Sequence, residues 1–404
     1  FTIGLKLNIR QLAMPQIWAV AGIHMILSIA VIGGVLTLLM PLLAKGPGEI
    51  SHQGWLIGFA LSFSSTVFAV KIFEERGEME ALHARIAIGI LIMQDIVAVV
   101  FLVISTGKMP EFSPLMLLVT LILFASRNLV IQIMRACGHG ELLLLFGLCA
   151  AFGGATLFES FNIKGDLGAL LIGALLAGNA KSAELASSLL SLKDLFLVGF
   201  FVTIGLNGEP ESRELAIAAA LGVLVFFKPI LYYLLMTAFR LRARTSLLAS
   251  LSLSNYSEFG LIVASLAASS GLLGKEWVIV IALALSFSFV IAVPFNTSAH
   301  HLYRTYGKTL RRVEKPKRLP MEAAADLGDA RIAVLGMGRV GLGAYKYLVD
   351  TQQAGVVGVE ENPERIAELR TQQINVVTGD ANDEDFWLRT ELDGFELIMV
   401  NLSK

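Results

Sequence analysis

Apolar residues run in blocks of about 20 along most of the chain, the length a helix needs to cross a bilayer, with short polar stretches between them. Ten spans are predicted, near 16–44, 53–73, 83–107, 112–134, 141–158, 162–178, 190–206, 214–238, 246–272 and 276–297. An eleventh is cut at Phe1, so an N-terminal segment is expected to precede this sequence. Two spans carry polar residues at their middle: Ser62-Phe63-Ser64-Ser65-Thr66, and Ser252 to Glu258 in SLSNYSE. Beyond 298 the pattern changes, first to a basic linker over 299–329 and then, over 330–404, to short apolar strands separated by helical segments, as in a parallel α/β domain.

Composition supports the division. Hydrophobic residues make up 55% and charged residues 16% of the 404, too apolar a chain for a soluble protein. The formal net charge of −1 selects no partner, and no nucleic acid is expected. Lys6 and Arg10, Lys71, Arg76 and Arg85, Arg135, Lys181 and Lys193, then Arg240, Arg242 and Arg244 fall on alternate loops, which the positive-inside rule makes cytoplasmic. The basic segment after His301 (YRTYGKTLRRVEKPKR) falls on the same side. It either lies along anionic membrane lipid or is a solvated tether.

Thr2-Ile3-Gly4-Leu5 recurs as Thr203-Ile204-Gly205-Leu206, each at the end of a span, with seven spans between them. An odd number sets the copies on opposite faces. After each copy come a long apolar span, an interrupted one and another span, the order of an inverted-topology repeat with broken helices. The alternative is chance in a biased composition, with serine and threonine bonding only the preceding turn.

Asp95 lies close to halfway along the apolar stretch Ile88 to Thr106. A carboxylate at that depth costs roughly 2.5–3.5 kcal/mol on insertion scales, so it marks a functional site. Gln94 brings neutral polar atoms to the same depth, as do Ser65 and Thr66 in the first interruption. Unwound helix frees carbonyl oxygens for a dehydrated cation, and one carboxylate that holds either a proton or a cation is a complete exchange device. Lys228 can bond Asp95, Glu258 or the backbone, or snorkel to the interface. Glu258 can pair with Lys228, cap a broken-helix end or touch the ion. Arg127 is expected to snorkel, and His24, Cys137 and Cys149 are read as packing residues.

From Ala330 the sequence RIAVLGMGRVGLGAYKYL gives a strand, a glycine turn and a helix, with Gly336, Gly338 and Gly341 as G-x-G-x-x-G. Arg339 and Val340 open the helix whose N-terminus would receive phosphate. A second strand ends at Glu360 and Glu361, where an acid binds a ribose hydroxyl in Rossmann-like folds. Strands in INVVTGDAND and FELIMVNLSK follow, and a complete domain of this class would have more. The alternative is a sheet whose glycines only make tight turns.

FALSFSSTVFAVKIFEERGEMEALHARIAIGILIMQDI resembles the LSST…ERG…FQD segment of Kef-type potassium/proton antiporters, in the second cation:proton antiporter family. LGALLIGALLAG, FFVTIGL and SEFGLIV resemble further stretches of the same transporters, and GMGRVG, VEENP and GDA resemble their TrkA-type or potassium-conductance-regulator domain. The resemblance implies a sodium/proton-antiporter-like fold, with inverted repeats and two broken helices, followed by a partial Rossmann-like domain. It implies Gln94 and Asp95 as the ion-binding pair for potassium or sodium and Lys228 as the basic residue before the second broken helix. Gly336, Gly338, Gly341 and Glu360 would bind an adenine nucleotide such as AMP or NAD(H), with Asp380 and Ala381 of TGDA near the adenosine. A homodimer in a bacterial inner membrane is implied as well, and an ancillary regulatory protein is left open. In place of the histidine-containing acidic loop of glutathione-gated members the chain has AKSAELASSLLSLKD, which puts glutathione control in doubt.

The expected function is potassium efflux coupled to proton uptake, one for one, biased by a nucleotide on the cytoplasmic domain. A sodium/proton exchanger and a ligand-gated potassium channel are the alternatives. No enzymatic activity is expected.

Overall fold

The computed structural model describes residues 1–5, 13–43, 50–79, 81–105, 125–160, 165–179, 181–182, 184–189, 192, 198–199, 202, 210–315, 319, 327, 329–352, 355–360, 363–379, 381, 386 and 395–401. Its helices are α1 (Thr2–Leu5), α2 (Pro15–Leu43), α3 (Ile50–Ser62), α4 (Thr66–Arg76), α5 (Leu82–Ser105), α6 (Arg127–Ala136), α7 (Glu141–Glu159), α8 (Gly165–Leu176), α9 (Ser212–Leu224), α10 (Phe227–Ala238), α11 (Ala243–Ser252), α12 (Glu258–Ser269), α13 (Lys275–Thr297) and α14 (Ala299–Leu310). Among the described residues, six stretches are long and apolar enough to cross a membrane: Pro15–Leu38, Gln53–Arg76, Leu82–Phe101, Glu141–Glu159, Ser212–Ala238 and Lys275–Thr297. Each overlaps a predicted span. Span 246–272 divides into α11 and α12 at its polar interruption, and 162–178 contains α8. Much of 112–134 and most of 190–206, with the second TIGL string, lie outside the described residues.

The helices pack in two groups. α1, α6, α7 and α8 close around Leu5, Ile131, Met134, Leu143 and Leu176. The other group, α2 to α5 with α9 to α13, has two apolar cores. One gathers Ile32, Ile57, Phe63, Leu221, Tyr256, Leu261 and Ile281, and the other Val20, Ala69, Phe73, Ile90, Tyr232, Met236 and Leu253. Between the cores lies a buried polar layer, Ser62, Ser64, Ser65, Gln94, Asp95, Lys228, Asn255 and Glu258. It contains the two interruptions, since Phe63 to Ser65 and Leu253 to Ser257 are not helical.

α3 packs on α12, and α4 on α11, so the first half of each broken helix meets the second half of the other. This is the antiparallel crossing that an inverted repeat requires. The α3 and α12 backbones touch: a Cβ placed on Gly260 would stand 2.1 Å from the Ala60 carbonyl oxygen.

Three sequence expectations need correction here. The start of the 299–329 linker is the helix α14, packed through Ala299 and Leu302 on Leu248 and Leu251 of α11, and not a free tether. Arg127 does not merely snorkel. It donates from Nε to the Leu175 carbonyl at 2.7 Å and from Nη2 to that of Ala177 at 3.3 Å, satisfying carbonyls left open where α8 ends. Cys137 is half-buried and Cys149 exposed, so the second is not a core residue.

The C-terminal domain has strands β1 (Ile332–Leu335), β2 (Val356–Glu360), β3 (Val376–Thr378) and β4 (Leu397–Val400), with α15 (Arg339–Gln352) and α16 (Pro363–Thr371) between them. The sheet is parallel in the order β3-β2-β1-β4. Chain order reverses beside β1, and in open α/β sheets that switch point is where ligands bind. The glycine turn follows β1 there.

Candidate functional site

Each interruption ends with a capped helix start. Ser65 caps α4, its Oγ accepting from Phe68 N at 3.3 Å, and Ser257 caps α12, its Oγ accepting from Phe259 N at 3.2 Å. These N-termini carry partial positive charge, and each has an acid beside it. Thr66, the first residue of α4, donates from Oγ1 to Asp95 Oδ2 at 3.3 Å. Glu258 is itself the first residue of α12, and Ser257 Oγ lies 3.4 Å from its Oε2. Asp95 is only 4% exposed.

The opposite ends are the C-termini of α3 and α11, each with partial negative charge. Lys228 stands between them, fully buried. Its Nζ donates to the carbonyls of Phe63 at 2.6 Å, Asn255 at 2.7 Å and Leu61 at 3.4 Å. The lysine is therefore held by backbone, one of the partners the sequence left open, and not by a midplane acid. Two half-charges balanced by one ammonium explain why a lysine is tolerated at this depth. Glu258 takes the helix-end role.

Side chains bind the two breaks together. Ser64 N donates to Gln94 Oε1 at 2.9 Å, Ser65 N to Asn255 Oδ1 at 2.7 Å, and Ser64 Oγ to the Leu253 carbonyl at 2.9 Å. In the second unit Tyr256 N donates to Ser288 Oγ of α13 at 3.0 Å. In each repeat, then, the span after the broken helix supplies the acceptor for an N–H released by unwinding. Gln94 Nε2 donates a hydrogen bond to Tyr232 Oη at 2.7 Å, and the Tyr232 ring stacks on His24 with centroids 3.4 Å apart. His24 is thus a packing residue, as expected. Ser288 and Tyr232 were not singled out in the sequence, where one hydroxyl in an apolar helix carries no distinguishing pattern.

A cavity of about 730 Å³ lies between α4 and α13. Ser65 and Phe68 line it near the crossing, and Lys71, Glu75 and Arg76 line it toward the basic side.

In the C-terminal domain Gly336 has φ of 81°, which leads β1 into the turn. Gly341 lies so close beneath it that a Cβ would fall 1.8 Å from the Gly336 carbonyl oxygen. Arg339 and Val340 are exposed at the start of α15. Glu360 accepts from Met337 N at 2.9 Å, and Arg365 Nε donates to the Met337 carbonyl at 3.3 Å, so both brace the loop. Ala381 is half-buried, whereas Glu361 and Asp380 lie outside the described residues. Gly341→Val is expected to abolish the thermal stabilisation of the full chain by an adenine nucleotide, about 2.7 kcal/mol at a hundred times Kd. Full retention of that stabilisation by the variant would reject the glycine loop as the binding site.

The chain belongs to the family described as sodium/hydrogen exchanger, transmembrane, which matches residues 1–297, and a TrkA-N domain matches residues 332–404. It is a multi-pass cation/proton antiporter with a nucleotide-binding domain of Rossmann-like fold. Among similar proteins, Escherichia coli (strain K12) YbaL, named for cation/proton antiport, is 29% identical over 438 residues, covering 100% of this chain and 75% of that protein. Alkalimonas amylolytica KefB, named for K(+) efflux antiport, is 25% identical over 424 residues, covering 99% of this chain and 62% of that protein. K(+) efflux antiporter 1, chloroplastic, of Arabidopsis thaliana is 23% identical, over 95% of this chain and 33% of its own length.

Proposed function

We propose that this chain exchanges potassium for protons, releasing potassium from the cell as protons enter, with Asp95 as the one site both ions use. The observation that carries the reading is the charge balance of the crossing. Lys228 offsets two helix C-termini, while Asp95 and Glu258 face two N-termini of about half a charge each. About one negative charge is left over, shared between Asp95 and Glu258. One potassium ion or one proton neutralises it, so exchange is one for one and electroneutral. Gln94 and Thr66 contribute neutral oxygens, and the cavity reaching Ser65 is the entrance from the cytoplasm. The names of the potassium-efflux relatives support the choice of ion.

In this reading the protein is a homodimer in a bacterial inner membrane, with α14 and the nucleotide-binding domain in the cytoplasm. AMP or NAD(H) on the Gly336–Gly341 loop biases the transport domain. An ancillary regulatory protein is compatible with it. In this reading the chain is a transporter and carries out no enzymatic reaction. The family's sodium/hydrogen description supports sodium as the second candidate ion.

The test is exchange in proteoliposomes, with internal pH followed as potassium or sodium is added outside. Half-saturation at lower potassium than sodium, with no current under voltage clamp, is expected. Net charge carried per turnover rejects the one-for-one scheme, and potassium flux without proton flux makes the protein a channel.

A further inference from the structure

On the basic side of the transport core, away from Asp95, a polar cluster joins five helices. α4 ends on Gly77, whose φ of 67° turns the chain so that Glu78 N bonds the Phe73 carbonyl and Glu78 faces inward. His83 Nε2 of α5 lies 3.0 Å from Glu78 Oε2, and His300 Nε2 of α14 lies 2.6 Å from Oε1. Arg76 stands 3.9 Å from the same carboxylate and also donates to the Asn296 carbonyl near the end of α13. On its other side His300 Nδ1 faces Arg244 Nη2 of α11 at 3.3 Å. His300 is therefore faced by Glu78 and Arg244, with Arg76 and His83 behind the carboxylate. His301 and Arg304 on its own helix are exposed.

A guanidinium has donors only. Its approach to Nδ1 requires that nitrogen to accept, which puts the ring proton on Nε2, toward Glu78. The arrangement is that of a neutral imidazole. A second proton would sit on Nδ1, directly against Arg244.

We propose that His300 is a regulatory proton-binding site, where uptake of a cytoplasmic proton breaks the contact with Arg244, keeps that with Glu78, and so loosens α11 from α14. Glu78 cannot be the titrating group. Burial alone would raise its carboxyl, but hydrogen bonds from His300 and His83, and the attraction of their charge whenever they are protonated, hold it below the ordinary carboxylate range. A depressed carboxyl keeps its contribution at all pH above that range and loses it only in strong acid. Histidine is the side chain that changes charge between about pH 5 and 8. Further ties of this segment run from Tyr233 Oη to the Leu310 carbonyl at 2.8 Å and from Ala243 N to Glu314 Oε1 at 2.7 Å, and neither of these two involves a histidine. α11 leads into Leu253 and Asn255, which hold Ser64 and Ser65. Loosening it slows turnover, and α14 leads to the nucleotide-binding domain.

The rate readout rests on the exchange reading above. At saturating potassium, lowering the pH on the α14 side from about 7.5 to about 5.5 is expected to cut the maximal rate about fivefold, the low end of coupling between sites. His300→Gln can donate to Glu78 and accept from Arg244 but cannot take the second proton. It is expected to keep a constant maximal rate while half-saturating potassium still rises with acidity, as competition at Asp95 requires. The same fall in maximal rate in the variant overturns the proposal. Hydrogen–deuterium exchange of α11 and α14, corrected for intrinsic pH dependence, reads the contact without transport. Faster exchange in acid for the parent and not for His300→Gln supports the site, and equal behaviour of the two overturns it even where no ion exchange is detected.

Discussion

Asp95→Asn is expected to reduce potassium-driven proton movement to the level of protein-free vesicles while leaving the protein folded. The amide keeps the shape of the side chain and can still accept from Thr66 Oγ1. What it loses is the charge that binds either ion. The substitution also removes a buried carboxylate, a group costing roughly 2.5–3.5 kcal/mol at mid-membrane, so the melting temperature of the purified variant should equal or exceed that of the parent. An inactive but stable variant separates loss of the ion site from loss of structure. Persistent coupled exchange in Asp95→Asn would sink the assignment, and Glu258 would then be the acid to test.

Lys228→Met is expected to have the largest effect on stability. Methionine matches the unbranched stem but offers no donor to the carbonyls of Leu61, Phe63 and Asn255. Each buried acceptor left unmet costs about 1–3 kcal/mol, so the total is on the order of 5 kcal/mol. That is comparable to the net stability of an ordinary domain. The C-termini of α3 and α11 would also face each other without compensation. Lys228→Gln, with two N–H donors, should fall between the two in thermal unfolding. A Lys228→Met protein as stable as the parent but inactive would instead make the ammonium a participant in ion movement.

Sequence reading located the breaks and the acid because polar residues in an apolar run are costly enough to need a reason. The glycine turn after β1 was legible for the same kind of reason, since backbone approach as close as that of Gly341 to Gly336 excludes a side chain. Partners were harder to see. Lys228 and Arg127 both end on carbonyl oxygens, which every residue possesses and which become available only where a distant helix stops. Leu61 is 167 positions from Lys228, and nothing in its side chain marks it. His300 was hidden in a segment that composition describes only as basic. Its role depends on α14 docking against α11, where Ala299 and Leu302 bury apolar surface beside the contact of His300 with Arg244, and no local pattern announces that docking.

The contact of Gly260 with the Ala60 carbonyl has a kinetic meaning. Where two backbones touch, no side chain remains between them to swing aside, so the seam between α3 and α12 cannot serve as a door. An ion reaching Asp95 from that face must travel around the knot of broken helices instead of through it. The ion site in the knot then has to be presented to each side in turn, like cargo on a shuttle whose hull never opens.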